Sequence, residues 1–433
     1  LVMQRNPNIQ YCSKEEIRQF QNEKLRETIA YLANKSPYYK RLFRECGVVP
    51  SEIRCVEDLV KLPVTTKSDL QRYNDDFLCV SERDVIDIVT TSGSTGDPVT
   101  IKLTEGDLDR LAYNEYLSFN TAGCSKDDIM QLMTTLDRRF MAGMAYFLGA
   151  RELGMGVSRV GNGIPELQWD TIQRIHSTCG MVIPSFVMKL IDFAEARGID
   201  YRASSIKKFV CIGEALRTPK GEYTALGQQI LQRWPEISLY GTYASTEMQA
   251  SFTDCKCFAG GHVPVELIIV EFLDDSNQPV GPNEPGEVVI TSIGVEGMPL
   301  LRFKTGDIVY HTDEPCTCGR NTMRLSSVIG RKNQMIKYKG TTVYPPVLFD
   351  ILDNLRGVEN YVVEVSTNNL GTDDIRVRIG TRQPSEAFEK QIKDLFRAKV
   401  RVAPSVSFET VEAVNAVQFP AMSRKPVKFL DLR

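Results

Sequence analysis

Thr90-Thr91-Ser92-Gly93-Ser94-Thr95-Gly96-Asp97-Pro98 packs hydroxyls and glycines into one short segment directly behind the β-branched run Val85 to Thr90. Glycines let backbone amides approach phosphate oxygens, and Ser and Thr hydroxyls add donors that move with a ligand. The combination suits a nucleotide triphosphate, although the same composition also builds ordinary polar turns. No lysine follows the second glycine, so the segment is not the Gly-x-x-x-x-Gly-Lys-Ser/Thr loop. Its assignment therefore depends on what surrounds it.

Outward from this loop, apolar runs with strand character, Val85 to Thr90 and Phe209 to Ile212, alternate with helical stretches such as Ser185 to Arg197. That alternation predicts an α/β fold with helices packed on a sheet. Upstream, Ser13 with Glu16 three positions on forms a capping-box pattern, and Ile17, Phe20, Leu25, Ile29 and Leu32 continue it as an amphipathic helix. Downstream the texture changes. Leu267 to Leu273 and Glu287 to Ile293 read as antiparallel strands around the Gly/Pro/Asn region Gln278 to Gly286. After Gly330 and Arg331, a hairpin from Tyr361 to Ser366 and Asp374 to Ile379, around Asn368, Asn369 and Gly371, precedes a helix over Glu386 to Val400. The expectation is a large domain over 1–329, holding sheets and packed helices, and a small α+β lid over 330–433.

The chain has 433 residues with 52 basic and 55 acidic side chains, a net charge of −3. No overall field attracts nucleic acid or an anionic membrane, and there is no interleaved basic and aromatic pattern. The polar stretch from Leu1 to Gln21 lacks the apolar segment of a signal peptide, and no run approaches a membrane span. A cytoplasmic protein is expected. Its 11 cysteines then read as reduced thiols rather than a disulfide framework.

Four further segments follow the loop in order. They are Tyr243-Ala244-Ser245-Thr246-Glu247, then Arg302-x-x-Thr305-Gly306-Asp307, then Gly330-Arg331-x-x-x-x-Ile336-Lys337-x-x-Gly340, and finally Lys425 near the C-terminus. With the loop, this ordered set resembles the adenylate-forming superfamily. Ser36-Pro37-Tyr38-Tyr39, Leu62-Pro63-Val64-Thr65-Thr66-Lys67 and Phe429 to Arg433 are similar to the phenylacetate-CoA ligases within it.

The resemblance implies an ATP-dependent ligase that makes an acyl adenylate from a carboxylic acid and hands the acyl group to coenzyme A, with Mg²⁺ as cofactor and a homodimer as the assembly. Thr91, Ser92, Gly93, Ser94, Thr95 and Gly96 would hold the triphosphate. Gly213-Glu214-Ala215 would line the adenine and Tyr243 would stack on it, with Ala244 standing where the family usually has glycine. Tyr240-Gly241-Thr242 offers a second register in which Tyr240 stacks. Thr246 would contact the α-phosphate beside Ser245, and Glu247 would bind Mg²⁺, a hard cation that takes oxygen ligands. The Ser-Thr-Glu run also reads as a helix cap. Asp307 would take the ribose hydroxyls, Arg331 is the interdomain arginine, Asn333 stands at the hinge, and Lys425 would bridge carboxylate and α-phosphate. Phe140, Met141, Gly143, Met144 and Tyr146 fall where the family lines its acyl pocket, and their character fits an aryl acid. An indole, benzoic or medium-chain acid is also compatible.

Cys255-x-Cys257, His262 and Cys316-x-Cys318-Gly319 supply soft and borderline ligands in two clusters. Cys255, His262, Cys316 and Cys318 would form a Cys₃His set for structural Zn²⁺, with Cys257 as the alternative to Cys255. Two rival functions stay open. One is an adenylating enzyme whose acceptor is a carrier-protein thiol or an amine. The other is a nucleotide-binding protein without ligase chemistry, in keeping with Ala244, Asn333 and Arg424.

Overall fold

The computed structural model describes residues 5–91, 98–338, 341–368, 372–420 and 426–433. They form two compact units. One comprises Leu1–Glu222, Ile230–Thr305 and Val309–Ser327, and the other comprises Val328–Arg433 together with Tyr223–Gln229 and Gly306–Ile308.

The first unit opens with the helix Lys14–Lys35. Ser13 Oγ accepts the Glu16 N–H and Glu16 returns a carboxylate to the Ser13 N–H, so the box read from the sequence is formed on both sides. Ile17, Leu25, Ile29 and Leu32 face inward, and the buried Gln21 amide donates to the carbonyls of Val265 and Ile268 at 3.2 Å each.

At the centre lies a nine-stranded sheet. Gly156–Arg159, Ile129–Leu132, Cys179–Val182, Lys208–Cys211 and the first half of Ser238–Ser245 run parallel. Beyond them Ala250–Asp254, Gly261–His262, Arg324–Leu325 and His311–Thr312 continue the sheet antiparallel. The parallel strands are flanked by Glu105–Thr121, Met141–Leu153, Pro165–Ile175 and Pro184–Arg197. The strand Ile129–Leu132 has Gly156–Arg159 on one side and Cys179–Val182 on the other. The chain therefore leaves it in one direction and returns in the other, which opens a crevice at the carboxyl ends of these strands.

Two readings of local structure meet corrections, and a third holds. The run Val85–Thr90 is a strand, but among the described residues it pairs only with Thr100–Thr104 in a separate hairpin, with Thr90 opposite Thr100. Ser245-Thr246-Glu247 is not a helix start: it closes the strand Ser238–Ser245 and turns into Ala250–Asp254. Ile268–Leu273 and Gly286–Ser292 are antiparallel as expected, with Val270 opposite Ile290.

In the second unit, Asn360–Thr367 and Asp373–Gly380 form the expected hairpin, flanked by Ser405–Glu409 and Phe429–Asp431. Val363, Val365, Ile375, Val377 and Ile379 point to a core shared with Leu348, Ile351, Ile392 and Phe396. On the outer face Arg378 binds Glu409 and Glu364. The helix Glu386–Val400 is bounded as read from the sequence, with Ser385 capping the Phe388 N–H. Asn369 and Gly371, expected at the hairpin turn, lie outside the described residues, whereas Asn368 bonds Thr372 across it.

Candidate functional site

The carboxyl edge of the parallel strands gathers two of the sequence segments. The last parallel pair between Lys208–Cys211 and Ser238–Ser245 is Cys211 with Gly241. One strand ends there and releases Gly213-Glu214-Ala215, with Gly213 at φ +78°, a left-handed conformation that favours glycine. The other strand continues past the edge, pairing Tyr243 with Phe252 and Ser245 with Ala250. Tyr243 to Glu247 thus lie beyond the point where Lys208–Cys211 ends, and the Tyr243 ring lies 5.6 Å from that of Phe252. Glu214 accepts the Ser185 N–H at the start of Pro184–Arg197, which fixes the Gly-Glu-Ala turn against that helix.

Glu247 is buried in the turn, and its carboxylate faces Lys67 Nζ at 3.5 Å. The sequence displays Lys67 inside Leu62 to Lys67, but gives it no partner. Its position follows from a local device, because Thr66 and Asp69 form a capping box that starts the helix Lys67–Arg72. Arg302, in the Arg-x-x-Thr-Gly-Asp segment, is fully buried, makes two bonds to Glu271 and donates to the Leu62 carbonyl. It braces the scaffold below Lys67.

The neck of the loop expected to hold the triphosphate is described and the loop is not. Thr91 N–H donates to the Val99 carbonyl and Val99 N–H donates to Thr91 Oγ1, each at 2.9 Å, while Thr90 N–H reaches the Arg139 carbonyl at 3.1 Å. Ser92, Gly93, Ser94, Thr95, Gly96 and Lys425 lie outside the described residues. Asp307 and Arg331 both fall in the second unit, opposite one another in register, with Arg331 Nε 3.2 Å from Asp307 Oδ1.

The expected acyl-pocket residues separate by orientation. Phe140 caps the helix Met141–Leu153, Met141 and Gly143 are buried in its first turn, and Met144 is 46% exposed. Tyr146 points into the core shared by Phe119, Met130 and Val210.

Two buried side chains that the sequence reading left aside support this edge. Arg110 donates to the carbonyls of Ile293 at 2.7 Å, Gln249 at 2.6 Å and Leu267 at 2.6 Å. Gln249, at φ +48°, closes the Glu247 turn. Glu115 accepts Ser251 Oγ and Asn114 Nδ2 at 2.8 and 2.9 Å. Burial nevertheless pushes its carboxyl up to about 7 from an ordinary 4.5. The folded protein then holds a proton that the unfolded chain releases between these two values. Stability is full below the lower value and falls as pH rises through the upper one, by about 3 kcal/mol. Glu115→Gln is expected to flatten that part of the pH–stability profile in urea titrations between pH 5 and 7.5, and an unchanged slope would contradict the assignment.

A second cluster sits at the antiparallel end of the same sheet. Cys255 follows the strand Ala250–Asp254, and His262 pairs with both Thr253 and Arg324. Cys316 and Cys318 occupy a tight turn closed by Gly319 N–H on the Cys316 carbonyl at 2.9 Å. Cys255, His262, Cys316 and Cys318 bring their ligand atoms within 4.8 Å of one another. Cys255 Sγ is 3.7 Å from Cys316 Sγ, and Cys318 Sγ is 3.6 Å from His262 Nε2. A tetrahedral zinc with ordinary Zn–S and Zn–N bonds has edges of about 3.8 and 3.6 Å between such atoms. His262 Nδ1 is taken by Thr322 Oγ1 at 2.8 Å, leaving Nε2 for the cluster. Burial and the charges of Arg320 and Arg324 push His262 down to about 3, so the ring is neutral. Cys257 borders the cluster and pairs with Thr317 Oγ1 at 3.1 Å, outside the four converging ligand atoms. All 11 cysteines are free.

Residues 30–297 match the family described as AMP-binding enzyme. The chain belongs to that family. This AMP-binding enzyme is 28% identical over 389 residues to the phenylacetate-coenzyme A ligase of Thermus thermophilus, covering 88% of this chain and 85% of the relative. It is 26% identical over 434 residues to the phenylacetate-coenzyme A ligase of Escherichia coli K12, covering 98% and 97%. A crystal structure of 2-hydroxyisobutyryl-CoA ligase in the postadenylation state with R3-HIB-AMP shares its fold, with a TM-score of 0.85 and 19% identity over 99% of this chain and 92% of that one. Among the described residues no helix is long and apolar enough to cross a membrane.

Proposed function

We propose that this AMP-binding enzyme is an ATP-dependent acyl-CoA ligase that forms an acyl adenylate from phenylacetate or a related aryl acid and then passes the acyl group to coenzyme A. The observation that carries the reading is the convergence of Gly213-Glu214-Ala215 and Tyr243 to Glu247 at one sheet edge. It is supported by likeness to phenylacetate-CoA ligases over most of the chain.

In this reading Tyr243 stacks on adenine, Gly213 to Ala215 form the second wall of its slot, and Thr91 to Gly96 hold the triphosphate. Thr246 contacts the α-phosphate. Glu247 offers the carboxylate oxygen for Mg²⁺, which when bound neutralises charge on the phosphate oxygens. Lys67 orients the Glu247 carboxylate. Asp307 accepts the ribose hydroxyls, a task suited to two acceptor oxygens. The residues from 330 onward act as a mobile lid hinged near Arg331 to Asn333. Lys425 serves adenylation and the Lys337 to Tyr344 segment serves thioester formation. Exchange of labelled pyrophosphate into ATP, measured over a panel of aryl and alkyl acids, tests the first half-reaction. Exchange that requires an aryl acid is expected, and silence across the panel would overturn the reading.

Cys255, His262, Cys316 and Cys318 would hold one structural Zn²⁺, which supplies a cross-link and no chemistry. Metal analysis of purified protein is expected to give one zinc per chain. Cys316→Ser should lose it and lower stability by more than about 3 kcal/mol; protein without stoichiometric zinc would refute the site. We further place the enzyme in the cytoplasm, where its free thiols stay reduced, as a homodimer.

A further inference from the structure

The buried carboxylate of Asp254 stands beside the strand assigned to adenine and takes no part in the roles given so far. One position beyond the pair Thr242 with Thr253, Asp254 Oδ2 accepts the Gly241 N–H at 3.0 Å. A side chain at position 241 would place its Cβ 3.1 Å from that same oxygen, so glycine leaves the room that the carboxylate fills. Gly241 and Tyr243 are two residues apart on one strand and therefore share a face. Phe252 and Asp254 share the matching face of the partner strand. That face thus carries two aromatic rings and, in the room over Gly241, a carboxylate. Asp254 is 7% exposed, and its other oxygen has no hydrogen-bond partner among the described residues. Arg217, from the segment following Gly213-Glu214-Ala215, supplies an opposing charge.

We infer that Asp254 is a base-specificity residue, its free carboxylate oxygen accepting the exocyclic amino group of adenine stacked on Tyr243. The inference rests on the ligase reading for the position of the base. The amino group donates, so an ionised acceptor rewards it. A purine with oxygen at the same position sets acceptor against acceptor and is rejected. Asp254 is a specificity residue rather than a catalytic one, because the base is remote from the reacting phosphate.

Equilibrium binding of ATP and of inosine triphosphate, measured by calorimetry with Mg²⁺ for wild type, Asp254→Asn and Asp254→Ala, tests this without requiring turnover. Wild type is expected to prefer ATP. Asp254→Asn can keep an oxygen on the Gly241 N–H and turn its amide donors to the base, which should shift the ATP-to-inosine ratio by about 10- to 100-fold toward inosine triphosphate. Asp254→Ala should lose the preference without that gain. Equal weakening of both nucleotides in both variants indicates a purely structural carboxylate and overturns the inference, as does an unchanged ratio. In either of those cases the ligase reading stands, since wild type still binds ATP. A wild-type protein that binds neither nucleotide removes both.

Discussion

Lys425→Ala is expected to lower acyl-adenylate formation by at least about 10²- to 10³-fold while leaving thioester formation from supplied acyl adenylate within a few-fold of wild type. The first half-reaction brings a carboxylate and a polyphosphate, both anionic, into contact. A compact ammonium between them offsets repulsion that rises toward the transition state. In the second half-reaction the adenylate is already made and coenzyme A attacks the carbonyl, so that charge no longer decides the rate. Rapid-quench measurement of acyl-AMP from ATP and acid, set beside single-turnover thioester formation from synthetic acyl-AMP, separates the steps. Equal loss in both would contradict a lid that serves two half-reactions.

Arg110→Ala is expected to destabilise the protein by about 3–5 kcal/mol, among the largest single-residue effects in the molecule. Its guanidinium is fully buried and spans three backbone carbonyls from separate parts of the chain. Burial pushes its pKa down to about 10, with Asp107 opposing, so it stays charged at neutral pH. Removing it takes a donor from three buried carbonyls, of which, among the described residues, only Leu267 keeps another, the Ile293 N–H at 2.9 Å, and leaves a void. Arg110→Lys should recover only part of the loss, because one ammonium cannot reach three diverging carbonyls in the fork geometry of guanidinium. Since one of those carbonyls belongs to Gln249, the lysine variant should also raise the KM for MgATP by loosening the Glu247 turn. Urea unfolding and steady-state kinetics check both, and a lysine variant within about 1 kcal/mol of wild type with unchanged KM would contradict the role.

What the sequence discloses is what short-range chemistry determines. The Ser13–Glu16 box, the helix Glu386–Val400, the hairpin of the second unit and the antiparallel pair beginning at Ile268 each follow from neighbours in sequence. The strand Val85–Thr90 was legible as a strand, but its partner was not, because pairing depends on the following hairpin rather than on the alternation of sheet and helix. The same limit explains Ser245-Thr246-Glu247. Its residue types suit a cap, yet the strand carrying Tyr243 continues past the sheet edge and folds back on Ala250–Asp254. For the cysteines, spacing could propose a set but not decide between Cys255 and Cys257. Strand pairing carries Cys255 to Cys316, 61 positions away, and leaves Cys257 against Thr317. Lys67, Arg110 and Glu115 were silent for a related reason: each takes its meaning from a partner that only the tertiary fold supplies.

The most direct test of the central claim is mass analysis of a reaction containing the purified protein, ATP, Mg²⁺, coenzyme A and phenylacetate or a panel of related aryl acids. The account predicts an acyl-CoA thioester that appears together with AMP and pyrophosphate and requires all of the substrates. Adenylate and pyrophosphate without thioester, or no product with any acid, would contradict it.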